Sequence, residues 1–200
     1  MGMIVKKGQL TFDAEGNDIE NSAYFSRVIH WPGNAASGIT IGRGYDLGQR
    51  FRLDVLNDMV DAGISAHKSQ AIAEGAGLIG EAARIFVENN KDSIGAITHQ
   101  QQVKLFDNIY PTYEVRAKRN YRKWTSLQQN RVDWCGLHPA IRDVLVDFVY
   151  QGFTRGPNPM RAGMNNSFDE LIYYIENTPA IRRYEAGRRR ANYLRQRKRQ

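Results

Sequence analysis

The sequence predicts a single, mainly helical α+β domain over residues 1–200, and three observations lead to this prediction. Apolar residues recur every three or four positions through most of the chain after Arg52, which is the period of an amphipathic helix. A single short β-favouring segment stands out, in Gly38–Gly48. A length of 200 residues with 42% hydrophobic content suffices for one core but is short for two ordinary domains. We therefore expect a motif region at about residues 8–50 and a helical body at residues 52–200.

Gly38–Gly48 reads Gly-Ile-Thr-Ile-Gly-Arg-Gly-Tyr-Asp-Leu-Gly and predicts a short strand followed by a tight turn. Ile39 and Ile41 alternate with Thr40, so the hydroxyl is expected on the face opposite the two buried isoleucines. The glycines allow the backbone to turn through positive φ and place Asp46 where the turn ends. The element would present a hydroxyl and a carboxylate together, although a Gly-rich segment after a strand is also typical of a purely structural hairpin.

The segments before this motif predict little regular structure. Residues 8–15 are expected to form a short helix end, followed by a turn at Gly16. From Asn17 to Gly38 the chain is rich in turn-forming residues and shows no sustained period. This composition predicts an irregular connection that carries several aromatic rings.

The helical body shows start and stop signals typical of successive helices. A capping box at Thr98–Gln101 opens a long helix, which Pro111 is expected to bend or interrupt. A central buried helix begins at Pro139, and Thr178–Pro179 opens a basic terminal helix. The remaining assignments are a helix in which Leu53, Leu56, Met59 and Val60 recur at helical spacing and which stops at Gly63, a helix capped by Ser65 with Ala66, Ala71 and Ile72, a helix over Leu78–Val87, the apolar stripe Ile141, Leu145, Phe148 and Val149, and a capping box at Ser167–Glu170.

Positive charge is concentrated at the end of the chain. The net charge is +7, and the segment from Arg182 to Arg199 contains nine Lys/Arg and one Glu, a net of +8, so the other residues sum to 7 − 8 = −1. Such a tail can follow nucleic-acid phosphates, lie on an anionic cell-wall polymer, or form a solvated helix face.

Other classes of site find little support in the sequence. Cys135 is the only cysteine, so no intrachain disulfide forms, and its apolar flank predicts an inert buried thiol. The four histidines are scattered without metal-binding spacing, and neither a dinucleotide fingerprint nor a Walker motif occurs, so we expect no metal and no cofactor. No apolar run is long enough for a membrane helix, and the start lacks the hydrophobic segment of a signal peptide.

Carboxylates are the better candidates for chemistry. The front region places five acidic residues around Thr40, and cleavage of a glycosidic bond needs one protonated carboxyl and a second group that directs water or stabilises positive charge. Spacing alone does not select the pair. The five are Asp13, Glu15, Asp18, Glu20 and Asp46.

A family resemblance selects among them. Asp13-Ala-Glu15-Gly16 followed by Ser37–Gln49 resembles the Glu, Thr and Asp catalytic motif of pesticin-like muramidases, relatives of the phage-type lysozymes. Thr98–Phe106 with Tyr110 and Tyr113 is similar to a helix of that family, and Val144–Gly152 is similar to the buried helix of its C-terminal lobe. The resemblance implies a lysozyme-like fold, with a small strand-containing catalytic lobe and a helical lobe.

The resemblance also implies roles for individual residues. Glu15 would be the general acid, and Asp46 and Thr40 would hold and orient the attacking water. An apolar neighbourhood would favour the protonated form of Glu15, whereas backbone N–H groups of the turn would keep Asp46 ionised. The long loop after Glu15 departs from the family pattern and leaves Glu20 as a rival acid.

Four side chains near this motif are expected to bind substrate. Flat rings stack on sugar faces, and guanidinium groups pair with lactyl or peptide carboxylates. The alternative for each ring is a place in the core. The four side chains are Tyr24, Trp31, Arg43 and Tyr45.

The predicted function is hydrolysis of the β-1,4 bond between N-acetylmuramic acid and N-acetylglucosamine in peptidoglycan. We expect a monomeric bacteriolytic effector, bacteriocin domain or phage endolysin that acts in the periplasm or cell wall of a target bacterium and is delivered without a classical signal peptide. An immunity protein would be a partner, whereas a membrane would not. The alternatives are an N-acetylglucosaminidase, a non-catalytic cell-wall-binding module that uses the aromatic rings, and, less expected, a nucleic-acid-binding protein that uses the Arg-rich tail.

Overall fold

The computed structural model describes residues 4–199 and is mostly helical, with one small antiparallel sheet in that part of the chain. The predicted α+β class with a predominance of helix is therefore confirmed. The helices are α1 (Gln9–Ala14), α2 (Arg52–Asp61), α3 (Ala66–Ala73), α4 (Gly80–Ile94), α5 (His99–Thr125), α6 (Pro139–Tyr150), α7 (Asn158–Arg161), α8 (Phe168–Asn177), α9 (Pro179–Arg182), α10 (Glu185–Arg188) and α11 (Arg190–Lys198); the strands are β1 (Thr40–Ile41) and β2 (Tyr45–Asp46), and a 3-10 turn spans Trp134–Gly136.

The chain divides into two compact units. Unit 1 comprises the described residues up to Lys7 together with Glu15–Ile109, and unit 2 comprises Gly8–Ala14 together with the described residues from Tyr110 onward. Unit 1 therefore holds the sheet, and unit 2 holds α1 although α1 precedes the sheet in sequence. The expectation of one domain over residues 1–200 stays a prediction.

In unit 1, the segment around the sheet has the expected alternation of burial. Ile39 and Ile41 are fully buried, and Thr40 between them is half-buried. Asp46 lies in β2 rather than at the end of the turn, because the turn closes within three residues and the second strand starts at Tyr45. Residues 17–38 contain no helix and make only isolated bridges, so the prediction of an irregular connection is confirmed.

Helix α2 is present, but only part of its predicted apolar stripe is buried. Val55 and Met59 are buried, whereas Leu53 is 65% exposed and Val60 is 47% exposed. The apolar period is satisfied by two overlapping stripes, and contact of α2 with α3 selects the one that contains Val55. The burial pattern of the short helix α2 was therefore decided by its neighbour.

Helix α5 begins as the capping box predicts. Thr98 Oγ1 accepts a hydrogen bond from the Gln101 backbone N–H at 3.1 Å, and Gln101 Oε1 accepts one from the Thr98 N–H at 2.8 Å. Pro111 does not interrupt the helix, which continues to Thr125. The loss of one backbone hydrogen bond at Pro111 is tolerated because buried Tyr110 and Ala117 anchor the helix on either side.

Helix α6 is the buried centre of unit 2. Ile141, Leu145, Phe148 and Val149 are at most 2% exposed, which confirms the predicted stripe. His138 caps the helix, since its side chain accepts a hydrogen bond from the Ala140 N–H at 3.2 Å. The helix also buries the carboxylate of Asp147.

The basic tail is three short helices and not one. Arg189 separates α10 from α11 with φ of 55°, in the left-handed region. Arg190 is fully buried, with Nε 2.6 Å from Asp147 Oδ2, and Arg188 Nη1 lies 2.8 Å from Asp147 Oδ1. These two arginines therefore stabilise unit 2. The sequence predicted that the tail charges lie on a solvated face or bind a polymer, and at Arg188 and Arg190 this prediction is wrong.

The 3-10 turn also corrects an expectation. Cys135 is exposed, whereas its neighbour Trp134 is buried and packs edge-on against the Tyr121 ring at 5.5 Å. The apolar flank thus packs through the tryptophan and leaves the thiol outside. Over residues 4–199, no helix has the length and apolar character needed to cross a membrane.

Candidate active site

The site begins with the pairing of β1 and β2. Thr40 lies opposite Asp46, and Ile41 lies opposite Tyr45. The Leu47 N–H donates to the Ile39 carbonyl at 2.8 Å, so by alternation the Thr40–Asp46 pair is of the non-hydrogen-bonded kind, in which side chains approach most closely. Directly opposed Cβ atoms lie about 4.5–5.5 Å apart. The structure therefore brings together the predicted hydroxyl and carboxylate on one face of the hairpin.

Both groups have capacity for a ligand. Within the described part of the chain, the Thr40 hydroxyl has no hydrogen-bond partner. Asp46 is exposed, and its Oδ1 accepts a hydrogen bond from the Gly48 N–H at 2.7 Å. That bond occupies one carboxylate oxygen, and the other oxygen has the capacity to accept a hydrogen bond from water or a ligand.

His30 extends the pair to a row of three side chains. Its backbone exchanges two hydrogen bonds with Thr40, N–H to carbonyl, at 2.9 Å and 2.8 Å. His30 therefore lies beside Thr40, on the side away from Asp46. Burial lowers the pKa of the imidazole, with a smaller repulsive contribution from Lys91, and its Nδ1 lies 3.3 Å from the Val28 carbonyl. In the tautomer whose Nδ1–H donates to the Val28 carbonyl, Nε2 carries no hydrogen and can accept a hydrogen bond.

Glu15 is half-buried and lies in the bend that directly follows α1. The next residue, Gly16, accepts a hydrogen bond through its carbonyl from the Arg43 guanidinium. Arg43 is the middle residue of the turn that joins β1 to β2. The Glu15–Gly16 step is thus fastened to the hairpin that carries Thr40 and Asp46.

Arg43 lies inside unit 1 and is only 6% exposed. Its Nη2 is 2.7 Å from Asp18 Oδ2, which makes Asp18 the second anchor of the same guanidinium. This placement favours a positioning role for Arg43 over the contact with substrate carboxylates expected from the sequence. The alternative acid Glu20 is different, because its side chain is 79% exposed and only loosely paired with Arg27 at 3.7 Å.

Asp18, one of the five carboxylates considered for chemistry, has an anchoring role that the sequence did not predict. Besides Arg43, it faces Arg27 Nε at 3.2 Å, His99 Nδ1 at 3.1 Å and Gln102 Nε2 at 3.1 Å. These partners lie up to 84 positions away in the chain, so only the folded structure joins them. The acid fastens the irregular loop to the start of α5 and holds the backbone next to Glu15.

The three aromatic side chains that were predicted to contact sugar differ in how deeply they are buried. Tyr24 is 75% exposed and open to stacking, and Trp31 is half-buried. Tyr45 is fully buried, its hydroxyl donates to Asp58 Oδ2 at 2.6 Å, and burial raises its pKa. The Arg50 guanidinium also covers the Tyr45 ring at 4.1 Å. These contacts favour a packing role for Tyr45 over the sugar contact expected from the sequence.

Among residues 4–199, no group of three or more His, Cys, Asp or Glu is arranged to hold a metal ion.

Comparison with known protein families gives a match over most of the chain. No curated protein matches the chain. A family model described as Domain of unknown function (DUF8812) matches residues 8–158, a span that includes Glu15, Thr40 and Asp46 and excludes the basic tail. Since this match covers more than half of the sequence, the chain belongs to the DUF8812 family.

Proposed function

We propose that the protein is a peptidoglycan hydrolase that cleaves the β-1,4 bond between N-acetylmuramic acid and N-acetylglucosamine. The observation that carries the proposal is the opposed pair Thr40 and Asp46 on a hairpin to which the Glu15–Gly16 step is fastened through Arg43. The resemblance of these segments to pesticin-like muramidases supports it, as does the helical α+β class. A lysozyme-like fold is part of the proposal.

Each group has a distinct task in this mechanism. Glu15 donates a proton to the glycosidic oxygen as the bond to the leaving sugar breaks. Asp46 and the Thr40 hydroxyl hold water by hydrogen bonds, and the negative charge of Asp46 stabilises the positive charge that develops on the sugar ring. Exposed Tyr24 offers a ring for stacking on a sugar face.

The proposed setting follows from this activity. A wall hydrolase acts in the periplasm or cell wall of a target bacterium, as an effector, a bacteriocin domain or an endolysin. An organism that makes such an enzyme for use against competitors needs an immunity protein for its own wall. We expect that partner to cover the row formed by His30, Thr40 and Asp46.

Analysis of digestion products tests the bond specificity. Purified peptidoglycan treated with the protein should yield soluble fragments with reducing muramic-acid ends, measured by mass spectrometry after borohydride reduction. New reducing glucosamine ends would indicate a glucosaminidase. Sedimentation of the protein with peptidoglycan and no soluble fragments would indicate a binding module.

A matched pair of variants tests the acid. Glu15→Gln keeps size and hydrogen-bonding capacity but removes the proton, so turnover should fall by roughly 10²–10⁴-fold. Glu20→Gln is the control, since its side chain is 79% exposed, and should retain turnover. If Glu15→Gln clears walls at the wild-type rate while folded Glu20→Gln is inactive, Glu20 is the acid and the motif assignment is wrong.

A further inference from the structure

The second half of α5 carries a concentrated basic surface. Residues 116–123 contain five Lys/Arg and no acidic residue. Arg116, Arg119 and Lys123 recur at three and four positions and so lie on one face of the helix. All three side chains are exposed.

These three cations line a cavity in unit 2. The cavity has a volume of about 280 Å³, and Asn120, Val149 and Thr154 complete its lining. Its lining thus combines three positive charges with an amide and a hydroxyl, and no carboxylate. We name Arg116, Arg119, Asn120, Lys123 and Thr154 the α5 anion surface.

The α5 anion surface differs from the basic tail in its pairing. In the tail, Arg195 lies 2.7 Å from Glu176 and Lys198 lies 2.6 Å from Asp169, in addition to the arginine pairs with Asp147. Among the described residues, Arg116, Arg119 and Lys123 have no acidic partner within salt-bridge distance. Arg182, Arg183 and Arg199 of the tail also have no acidic partner among the described residues, but on α5 the three unpaired cations line one and the same cavity.

The chemistry of the cavity suits phosphate groups. Guanidinium forks match the oxygens of a phosphate, a lysine adds a point charge, and the amide and hydroxyl can donate further hydrogen bonds. The helical rise between Arg116 and Lys123 is about 10 Å, long enough to hold more than one charge of a polymer. The surface thus fits a repeating anion better than a single ion.

The adjacent rings argue against nucleic-acid bases as part of the ligand. The Arg116 guanidinium lies 5.0 Å from the centre of the Tyr113 ring, and Lys123 Nζ lies 4.6 Å from the centre of the Trp124 ring. Both rings are half-buried beneath their cations. Binding of single-stranded nucleic acid uses open rings on which bases stack, and these rings are covered.

We propose that the α5 anion surface binds the phosphate groups of a polyol-phosphate polymer of the cell wall. The choice of polymer rests on the proposed function, because a wall hydrolase meets such polymers beside its substrate. Binding there would hold the enzyme at the wall between successive cleavages.

The test separates binding from hydrolysis. Binding of purified poly(glycerol phosphate) is measured by titration calorimetry at several salt concentrations for the wild type and for Arg116→Gln/Arg119→Gln/Lys123→Gln. The triple variant should bind roughly tenfold or more weakly, with a salt slope smaller by about two. The matched control Arg182→Gln/Arg183→Gln/Arg199→Gln removes the same charge from exposed tail positions and should keep most of the affinity. Arg116→Lys/Arg119→Lys should retain much of it, and circular dichroism verifies the helix content of each variant.

Three results would overturn the proposal. They are no binding by the wild type, an equal loss in both triple variants, and tighter binding of a single-stranded oligonucleotide of the same charge. Hydrolysis of peptidoglycan stripped of anionic polymer is measured in parallel and should be equal for the wild type and the α5 variant. Absence of hydrolysis by the wild type would refute the proposed function, whereas the calorimetry would still decide whether the surface binds the polymer.

Discussion

Thr40 is the middle member of a row in which His30, Thr40 and Asp46 lie side by side on three neighbouring segments. Its hydroxyl can donate one hydrogen bond and accept others. An acceptor nitrogen on one side and a carboxylate on the other would direct that hydroxyl. In the proposed mechanism, a small change at Thr40 therefore alters the position of water without altering the fold.

Substitutions at Thr40 separate these effects. Thr40→Val keeps the shape and β preference of the side chain but removes the hydroxyl, so peptidoglycan turnover should fall by about 10²-fold or more while the melting temperature changes little. Thr40→Ser should keep much of the turnover. Turbidity clearance and thermal melting provide the two measurements, and full activity in Thr40→Val would remove Thr40 from the mechanism.

His30 predicts a pH dependence of stability. Because burial lowers its pKa in the folded state, the unfolded state takes up the proton first as the pH falls. Its contribution to the free energy of unfolding is present above the ordinary value of 6.5 and is lost as the pH falls through the lowered pKa. Denaturant unfolding from pH 7.5 to pH 4.5, a range of about three units around that value, should show a steeper loss in the wild type than in His30→Gln. Parallel curves would show that His30 contributes nothing to the pH dependence.

At the scale of elements, the hairpin depends on a close approach of two backbone segments. A Cβ atom added at Gly38 would overlap with Asp46 Oδ1 and with the Gly48 backbone nitrogen. The same two atoms form the 2.7 Å hydrogen bond that fixes the Asp46 carboxylate. The absence of a side chain at Gly38 is thus a condition for the geometry of Asp46.

Gly38→Ala should accordingly affect stability and activity together. Overpacking of this kind costs about 1–3 kcal/mol of unfolding free energy, and the displaced carboxylate should reduce turnover as well. Gly187→Ala is the control, because nothing lies within 4 Å of the added Cβ. Unchanged turnover in a folded Gly38→Ala protein would show that the position of Asp46 is not critical.

The sequence predicted those features that depend on contacts between residues close together in the chain. The start of α5 was predicted because both partners of its capping box lie within four residues. The alternation of buried Ile39 and Ile41 with Thr40 was predicted because it depends on neighbouring residues alone. The row with His30 and the anchoring of Arg43 by Asp18 were not predicted, since each requires a contact between distant segments. Local pattern predicted elements, and long-range packing decided their faces and partners.

At the scale of the molecule, unit 2 contains charged side chains in its interior as well as on its surface. Asp147 is fully buried on α6 and accepts hydrogen bonds from Thr11, Arg188 and Arg190. The Arg190 guanidinium also lies 4.9 Å from the centre of the Phe148 ring. Removal of Arg190 leaves the buried carboxylate with Arg188 as its one charged partner among the described residues and takes the arginine away from Asp147 Oδ2.

Arg190→Gln should therefore destabilise the protein strongly, by about 3–5 kcal/mol in denaturant unfolding. Arg182→Gln, at an exposed position of the same basic tail, should change stability by less than about 0.5 kcal/mol. Combining Arg190→Gln with Asp147→Asn should cost less than the sum of the two single changes, because the two side chains bind each other directly and each single change already removes that ion pair. Equal effects of Arg190→Gln and Arg182→Gln would contradict the buried ion pair.

The hydrogen bond from Thr11 to Asp147 has a consequence for the order in which the protein folds during synthesis. The two residues are 136 positions apart, so α1 leaves the ribosome long before its partner helix exists. At about 5–20 residues per second, roughly 7–27 s pass between the synthesis of Thr11 and that of Asp147, and the Glu15–Ile109 part of unit 1 is synthesised in that interval. Unit 1 can therefore form its hairpin first, with an apolar N-terminal segment that stays exposed until α6 emerges. During that interval the face of α1 that carries Thr11 and Phe12, which is buried in the folded protein, is open to a chaperone or to aggregation.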